Sequence, residues 1–120
     1  MPPTDVCFYA ENDGSCPLLE WLDGIPRKAQ DKCIVRVEQL AESGHELRRP
    51  FADYLGDDIY ELRARHQKVN YRMLYFFHAC GAVVTHGLTK EDVVPRREID
   101  LALARKGRFD RDPGKHMHKE

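Results

Sequence analysis

Residues 49–90 read RPFADYLGDDIYELRARHQKVNYRMLYFFHACGAVVTHGLTK, and this stretch holds most of the strand-forming signal of the chain. Within it, Ile59–His66 alternates between apolar and charged side chains, and Val69–His78 is rich in β-branched and aromatic residues. A third run, 82–90, follows a Cys-Gly turn. Short runs separated by glycine and polar residues are typical of an antiparallel meander. The stretch therefore predicts three consecutive antiparallel strands at the centre of the fold.

The loop between the first two strands centres on Gln67-Lys68. If that loop has an even number of residues, Arg63 lies directly opposite Arg72. One face of the hairpin is then aromatic and apolar and is expected to pack on helices, and it consists of Tyr60, Leu62, Ala64, Tyr71, Met73, Tyr75 and Phe77. The opposite face carries Arg63, Arg65 and Arg72.

Like charges directly opposite one another destabilise a sheet, so the facing arginines predict a bound anion between them. On this interpretation, Arg72→Ala relieves repulsion and leaves the fold intact. An alternative stays open, in which Glu61, on the same face, neutralises one of the arginines. His86 and Lys90 fall in the third strand with a common parity. Arginine, lysine and histidine on adjoining strands are the groups that phosphoryl chemistry needs, since they stabilise charge and move protons.

The N-terminal half predicts one short strand and two helices. Residues 6–10 form an apolar run that ends in a turn, and Pro17 then opens a short helix that stops at Asp23-Gly24. Pro26 opens a second helix that runs to about Ser43, with Gly44 just past its end. The two helices are expected to form a hairpin against the sheet. Residues 44–58 are predicted to be a connector of turns.

The C-terminal part predicts a last helix from Pro95 to about Lys106, ended by Gly107. The segment from Phe109 onward has little apolar content and is predicted to be a disordered tail. The chain is thus expected to be one α+β domain over residues 1–108, followed by a tail over 109–120.

Composition narrows the function classes. The chain has 120 residues, a formal net charge of −1 and four widely spaced cysteines without a C-x-x-C motif. This pattern predicts neither a zinc site nor a disulfide framework, and no apolar stretch is long enough for a membrane span. Residues 1–60 hold six Lys and Arg against twelve Asp and Glu, whereas residues 61–120 hold thirteen against eight. This asymmetry favours a basic face. The cysteine pattern indicates reduced thiols, and together with the lack of a membrane span it predicts a cytoplasmic protein without a membrane partner.

The runs RPFADYLGDDIYELRAR, VNYRMLYFF, HGLTK and PRREIDLALAR resemble the HigB-like toxins of the RelE/ParE toxin–antitoxin superfamily, in its phage-derived branch. The resemblance spans about residues 5–106 in the order of elements. It implies a RelE-like fold, with a small, mainly antiparallel twisted sheet, an N-terminal helical hairpin on one face and a C-terminal helix. It also implies metal-independent, cofactor-free cleavage of mRNA on the ribosome, and neutralisation by a cognate helix-turn-helix antitoxin.

The resemblance also implies roles for particular residues. Arg63, Arg72 and Lys90 match the cations that stabilise charge on a phosphate attacked by its own ribose 2′-hydroxyl, and His86 is the candidate for proton transfer. Because the chain is less basic than many related ribonucleases, the ribosome is expected to supply binding energy. The residues expected to contact RNA or the ribosome are Arg65, Lys68, Arg96 and Arg97.

Two other functions remain open at this point. The first is a ParE-like DNA gyrase inhibitor, which shares the fold but lacks nucleolytic residues. The second is a non-catalytic toxin-like module that only binds an antitoxin. The cluster of Arg63, Arg72 and Lys90 favours the ribonuclease over the gyrase inhibitor.

Overall fold

The computed structural model describes residues 4–79, 81–89 and 92–118. The strands are β1 (Val6–Phe8), β2 (Ala52–Gly56), β3 (Ile59–His66), β4 (Val69–His78) and β5 (Gly81–Thr89). The helices are α1 (Pro17–Asp23), α2 (Arg27–Ser43) and α3 (Arg96–Arg111), and the bounds predicted for α1 and α2 are confirmed. None of the helices in these ranges is both long enough and apolar enough to cross a membrane.

The five strands of the described residues form one sheet in the order β1-β5-β4-β3-β2. β1 runs parallel to β5, and the other neighbouring pairs are antiparallel, which confirms an α+β fold with a mainly antiparallel sheet. Arg63 pairs with Arg72 in the predicted register. This register is fixed by a two-residue turn at Gln67 and Lys68, whose φ angles are 49° and 69°.

The predicted connector 44–58 contains a strand, β2, that the sequence analysis missed. The run Ala-Asp-Tyr-Leu-Gly includes two poor strand formers, and its pairing with β3 shifts register between Tyr54 and Gly56. A second two-residue turn, at Asp57 and Asp58 with φ angles of 54° and 68°, joins the two strands. β2 therefore forms because β3 offers it a partner, and local propensity does not predict it.

The two faces of the sheet carry separate apolar clusters. As predicted, the aromatic face of the β3–β4 hairpin packs under α1 and α2, where Leu62, Met73 and Tyr75 are buried. The opposite face is not wholly cationic, since α3 covers part of it through Phe109, against Phe76 and its neighbours. The arginines of β3 and β4 thus occupy the portion of this face that α3 leaves open.

The C-terminal segment departs from the prediction. α3 continues through Gly107 to Arg111, so the predicted end of the helix at Gly107 is wrong. Disorder was predicted from Phe109, whereas the structure buries Phe109 completely and buries His116 against β1. The prediction relied on the low apolar content of this segment, but a polar residue anchors it. The His116 ring stacks on Tyr9 with 5.3 Å between centroids, and its Nδ1 hydrogen-bonds the Ala10 carbonyl.

Substitutions at Gly107 and Gly87 test the placement of α3 and of α1. A Cβ at Gly107, inside α3, would come within 3.6 Å of Arg111 and no closer to another group, so Gly107→Ala is expected to stabilise the protein by about 0.5–1 kcal/mol. A Cβ at Gly87 would lie 2.2 Å from the Trp21 ring, so Gly87→Ala is expected to destabilise by at least about 1–3 kcal/mol. Urea unfolding of both variants measures the difference. Equal stability of the two variants would contradict the placement of α1 over β5.

Candidate functional site

Glu61 lies between two arginines on the sheet face opposite α1 and α2. Arg72 Nη1 donates a hydrogen bond to Glu61 Oε1, and Arg63 Nη2 lies 3.4 Å from Glu61 Oε2. The Glu61 side chain is 2% exposed and that of Arg72 is 10% exposed. Because an unpaired carboxylate is costly to bury, the burial of Glu61 depends on these arginines. The anion expected between the arginines is therefore part of the protein, as in the alternative left open above.

Asp53 extends this cluster towards the connector before β2. Its Oδ2 lies 3.1 Å from Arg63 Nη2 and 2.9 Å from Arg49 Nη2. The hydrogen bond from Arg49 holds the pKa of Asp53 below its usual range. Arg63 Nε is buried and finds no hydrogen-bond partner among the described residues. A buried donor of this kind is rare in proteins and is consistent with a position that accepts a ligand.

An open groove of about 270 Å³ runs beside the cluster and is called the arginine groove here. Arg65 is exposed at its rim, and no carboxylate among the residues that the structure describes pairs with its guanidinium. The groove therefore combines cations that carboxylates neutralise with a cation, Arg65, that no carboxylate of the described residues neutralises. The lining residues that matter for its chemistry are Arg36, Phe51, Arg63, Arg65, Asn70 and Arg72.

Arg36 is a groove residue that the sequence analysis did not identify. It lies on α2, donates from Nε to the Arg63 carbonyl at 2.7 Å, and places its guanidinium 4.4 Å from the centre of the Phe51 ring. Its position, three residues after Cys33, is at the border of the buried stripe of α2. The sequence signal for Arg36 was a cation at the edge of the apolar stripe by which a helix packs on a sheet.

His86 lies away from the groove lining. Its Nε2 is 3.0 Å from Glu98 Oε1 on α3, and its Nδ1 is 2.8 Å from Thr85 Oγ1. Burial, assisted by the charge of Arg105, lowers the pKa of His86. Both ring nitrogens are thus engaged, Nδ1 within β5 and Nε2 in joining β5 to α3, and the structure does not bring His86 to Arg63 and Arg72 as a free proton carrier.

The other predicted residues are dispersed. Lys68 is exposed in the β3–β4 turn. Arg96 pairs with Asp57 and Asp100 at 2.9 Å each, and Arg97 lies 3.7 Å from Glu98. None of these three lines the arginine groove as described, and Lys90 falls outside the described residues.

The chemistry available in the groove is that of anion recognition. Arginine presents planar, fixed donors that match phosphate oxygens, and several arginines side by side stabilise charge that develops on a phosphodiester. Within the described ranges, no group of three or more His, Cys, Asp and Glu side chains is arranged to hold a metal ion. The groove therefore fits a polyanion held by guanidinium groups.

Comparison with known protein families shows which family the chain resembles. A family model described as "Phage derived protein Gp49-like (DUF891)" matches residues 20–107. The match begins within α1 and ends within α3, so it includes the arginine groove, Glu61 and His86. No curated protein matches the chain.

Proposed function

This chain belongs to the Gp49-like family of phage-derived proteins, a family of RelE/HigB-like toxins in toxin–antitoxin systems, and we propose that it is a ribosome-dependent endoribonuclease that cleaves mRNA. The observation that supports the activity most directly is the arginine groove, where Arg36, Arg63, Arg65 and Arg72 surround one concave surface. Four cations around a groove of this size suit the backbone of a single RNA strand.

The proposed reaction begins with attack of a ribose 2′-hydroxyl on the adjacent 3′ phosphate. The O2′–P bond forms and the P–O5′ bond breaks. The departing O5′ takes a proton from water, so the products are a 2′,3′-cyclic phosphate and a 5′-hydroxyl. Arg63 and Arg72 stabilise the negative charge that builds on the phosphate oxygens, because their donors are held in place before the substrate binds. Lys90 stays a predicted third cation of this set.

The proton of the 2′-hydroxyl needs an acceptor near the phosphate. Glu61 is a better candidate than His86, because Glu61 contacts both Arg63 and Arg72, whereas both ring nitrogens of His86 are engaged by Thr85 and Glu98. When Arg63 and Arg72 share their donors with a phosphate, they hold the Glu61 carboxylate less tightly, which leaves a carboxylate oxygen free to accept the proton. Glu61 then receives the proton as the O2′–P bond forms.

The ribosome and the antitoxin are the proposed partners. A net charge of −1 gives weak long-range attraction to free RNA, so we expect the ribosome to present the mRNA and to add binding energy to the contacts that the arginine groove itself makes. Membership of a toxin family implies an antitoxin partner, for which we propose a helix-turn-helix protein that covers the arginine groove. Because both proposed partners are cytoplasmic, we propose a cytoplasmic location as well.

One observation favours a second candidate, a module that binds an antitoxin without catalysis. Glu61 and Asp53 already neutralise Arg63 and Arg72 in the free protein, and a groove of neutralised arginines needs no reaction to explain it. The exposed and uncompensated Arg65 argues for the ribonuclease.

Expression of the chain alone in a bacterium is the test. We expect growth to stop, with protein synthesis falling before DNA replication in pulse-labelling, because mRNA is the proposed substrate. Primer extension on purified, ribosome-programmed mRNA is expected to map discrete cuts that are absent when ribosomes are omitted. Replication that stops first with intact transcripts would indicate gyrase inhibition, and normal growth without cuts would indicate the non-catalytic module.

A further inference from the structure

A second concave surface lies beside the arginine groove and is called the aromatic cleft here. It encloses about 490 Å³ at the β2 edge of the sheet, on the face that α2 covers. Its lining includes Arg48, Arg49, Asp53, Tyr54 and Tyr60. The proposed reaction uses none of these residues directly.

Tyr54 presents an aromatic face in this cleft that is fixed but uncovered. Its residue is 52% exposed, although large aromatic side chains are usually buried. The ring centroid lies 4.8 Å from that of Tyr60, which lies 5.4 Å from that of Tyr75. The hydroxyl of Tyr54 accepts a 3.0 Å hydrogen bond from the Asp58 amide. Because the contact with Tyr60 and the hydrogen bond to the Tyr54 hydroxyl already hold the Tyr54 ring in place, the ring loses little conformational entropy when a ligand stacks on it.

Two arginines and one carboxylate, Arg48, Arg49 and Asp53, line the cleft, and their ion pairs continue into the arginine groove. Arg48 is exposed, and no carboxylate among residues 4–79, 81–89 and 92–118 pairs with its guanidinium. Arg49 shares Asp53 with Arg63 of the groove, at 2.9 and 3.1 Å. Residues 48–53 therefore lie between the arginine groove and the aromatic cleft. Asp53, which pairs with Arg63 of the groove and Arg49 of the cleft, links the two surfaces. A polyanion that lies in the groove can continue over these residues into the cleft.

We propose that the aromatic cleft binds an unpaired base of the RNA strand whose backbone lies in the arginine groove, with the base stacked on Tyr54 and the adjoining phosphate near Arg48. The inference rests on the proposed function, since it takes the groove as the RNA site. Stacking on an aromatic ring beside a cation is how single-stranded nucleic acids are held without sequence preference. The cleft would thus add affinity for a base that flanks the cleavage point, whatever its identity.

Binding of two uncleavable RNAs tests this proposal. The probes are 2′-O-methyl oligoadenylates of about three and about nine nucleotides, within and beyond the reach of one small binding site. Versions with 2-aminopurine at either end report stacking by fluorescence. We expect Tyr54→Ala to weaken binding of the longer RNA by about 5- to 150-fold, which is the effect of one lost base–aromatic stack. Binding of the shorter RNA is expected to stay unchanged. The quenching of 2-aminopurine by the wild-type protein is expected to disappear.

Matched variants separate stacking from other causes. Tyr54→Phe keeps the ring and is expected to bind both RNAs with the affinity of the wild type. Arg48→Glu is expected to weaken binding of the longer RNA only. Arg65→Ala, in the groove, is expected to weaken binding of both RNAs. Ile34→Ala removes an exposed apolar side chain from α2 and is expected to change neither. Thermal melting of each variant identifies loss of fold, and Arg48→Glu keeps the test valid if Tyr54→Ala does not fold.

Three outcomes would overturn the cleft proposal. The first is equal binding of the longer RNA by the wild type and by Tyr54→Ala and Arg48→Glu, and the second is failure of the wild type to bind either RNA. The third is loss of a helix-turn-helix partner by Tyr54→Ala with RNA binding retained, which would assign the cleft to that protein. Cleavage on ribosomes is scored separately. Length-dependent binding without cleavage would overturn the proposed reaction and keep the cleft.

Discussion

Replacing Arg72 with methionine is expected to lower the free energy of unfolding by about 3 kcal/mol. Methionine keeps most of the side-chain volume, so the loss of stability reports the missing positive charge beside Glu61. Breaking a buried ion pair by removing one partner costs about 3–5 kcal/mol. The lower end applies because Arg63 still lies 3.4 Å from Glu61. Urea unfolding at neutral pH measures the change.

The control for this prediction removes the carboxylate as well. In Glu61→Leu/Arg72→Met an apolar pair replaces the ion pair, and the double variant is expected to be more stable than Arg72→Met alone, since apolar replacement of a buried pair is often neutral. Arg96→Ala, at an exposed ion pair, is expected to have little effect. An Arg72→Met protein as stable as the wild type would restore the simpler expectation of relieved repulsion, and the burial of Glu61 would then need another explanation.

Cleavage of ribosome-bound mRNA by Arg63→Ala is expected to be slower by about 10²–10³-fold, the usual cost of one preorganised charge-stabilising donor. Arg63 suits this test better than Arg72 because its side chain is 36% exposed and Glu61 keeps Arg72 as a partner in its absence. The variant is therefore expected to remain folded. Single-turnover primer extension gives the rate, and thermal melting gives the state of the fold.

Arg27→Ala is the matched control for Arg63→Ala. Arg27 is an exposed arginine on α2 that pairs with Asp31 at 3.5 Å, so its removal changes the net charge equally without touching the groove. Equal slowing by both variants would mean that overall charge, through attraction to the ribosome, controls the rate. No slowing by Arg63→Ala would place the reaction outside the arginine groove.

Alternation and turn chemistry predicted the centre of the fold because both are local. The pairing of Arg63 with Arg72 follows from a two-residue turn at Gln67-Lys68, and a one-residue slip would have moved every aromatic side chain to the wrong face. The capping glycine and the first-turn proline likewise located α1 and α2. These features depend on neighbours in the chain and can be read from it.

The features that were missed depend on contacts between distant segments. β2 forms because β3 accepts it, although its own residues are poor strand formers. α3 passes through Gly107 because Phe109 gains a buried position against Phe76, and that gain outweighs the helix cost of a glycine. The sequence placed Glu61 on the arginine face, but only the tertiary arrangement shows its carboxylate contacting both Arg63 and Arg72.

The pairing of the C-terminal segment with β1 bears on self-association. The amide of Ala10 bonds to the carbonyl of His116, and the amide of His118 bonds to the carbonyl of Phe8, so this segment seals one end of the outer strand. An unsealed strand edge is a template on which other chains add. A chain cut before Phe109 would lose a buried aromatic side chain and this seal together. Shortening the C-terminus would then turn a closed border of the sheet into a site of aggregation.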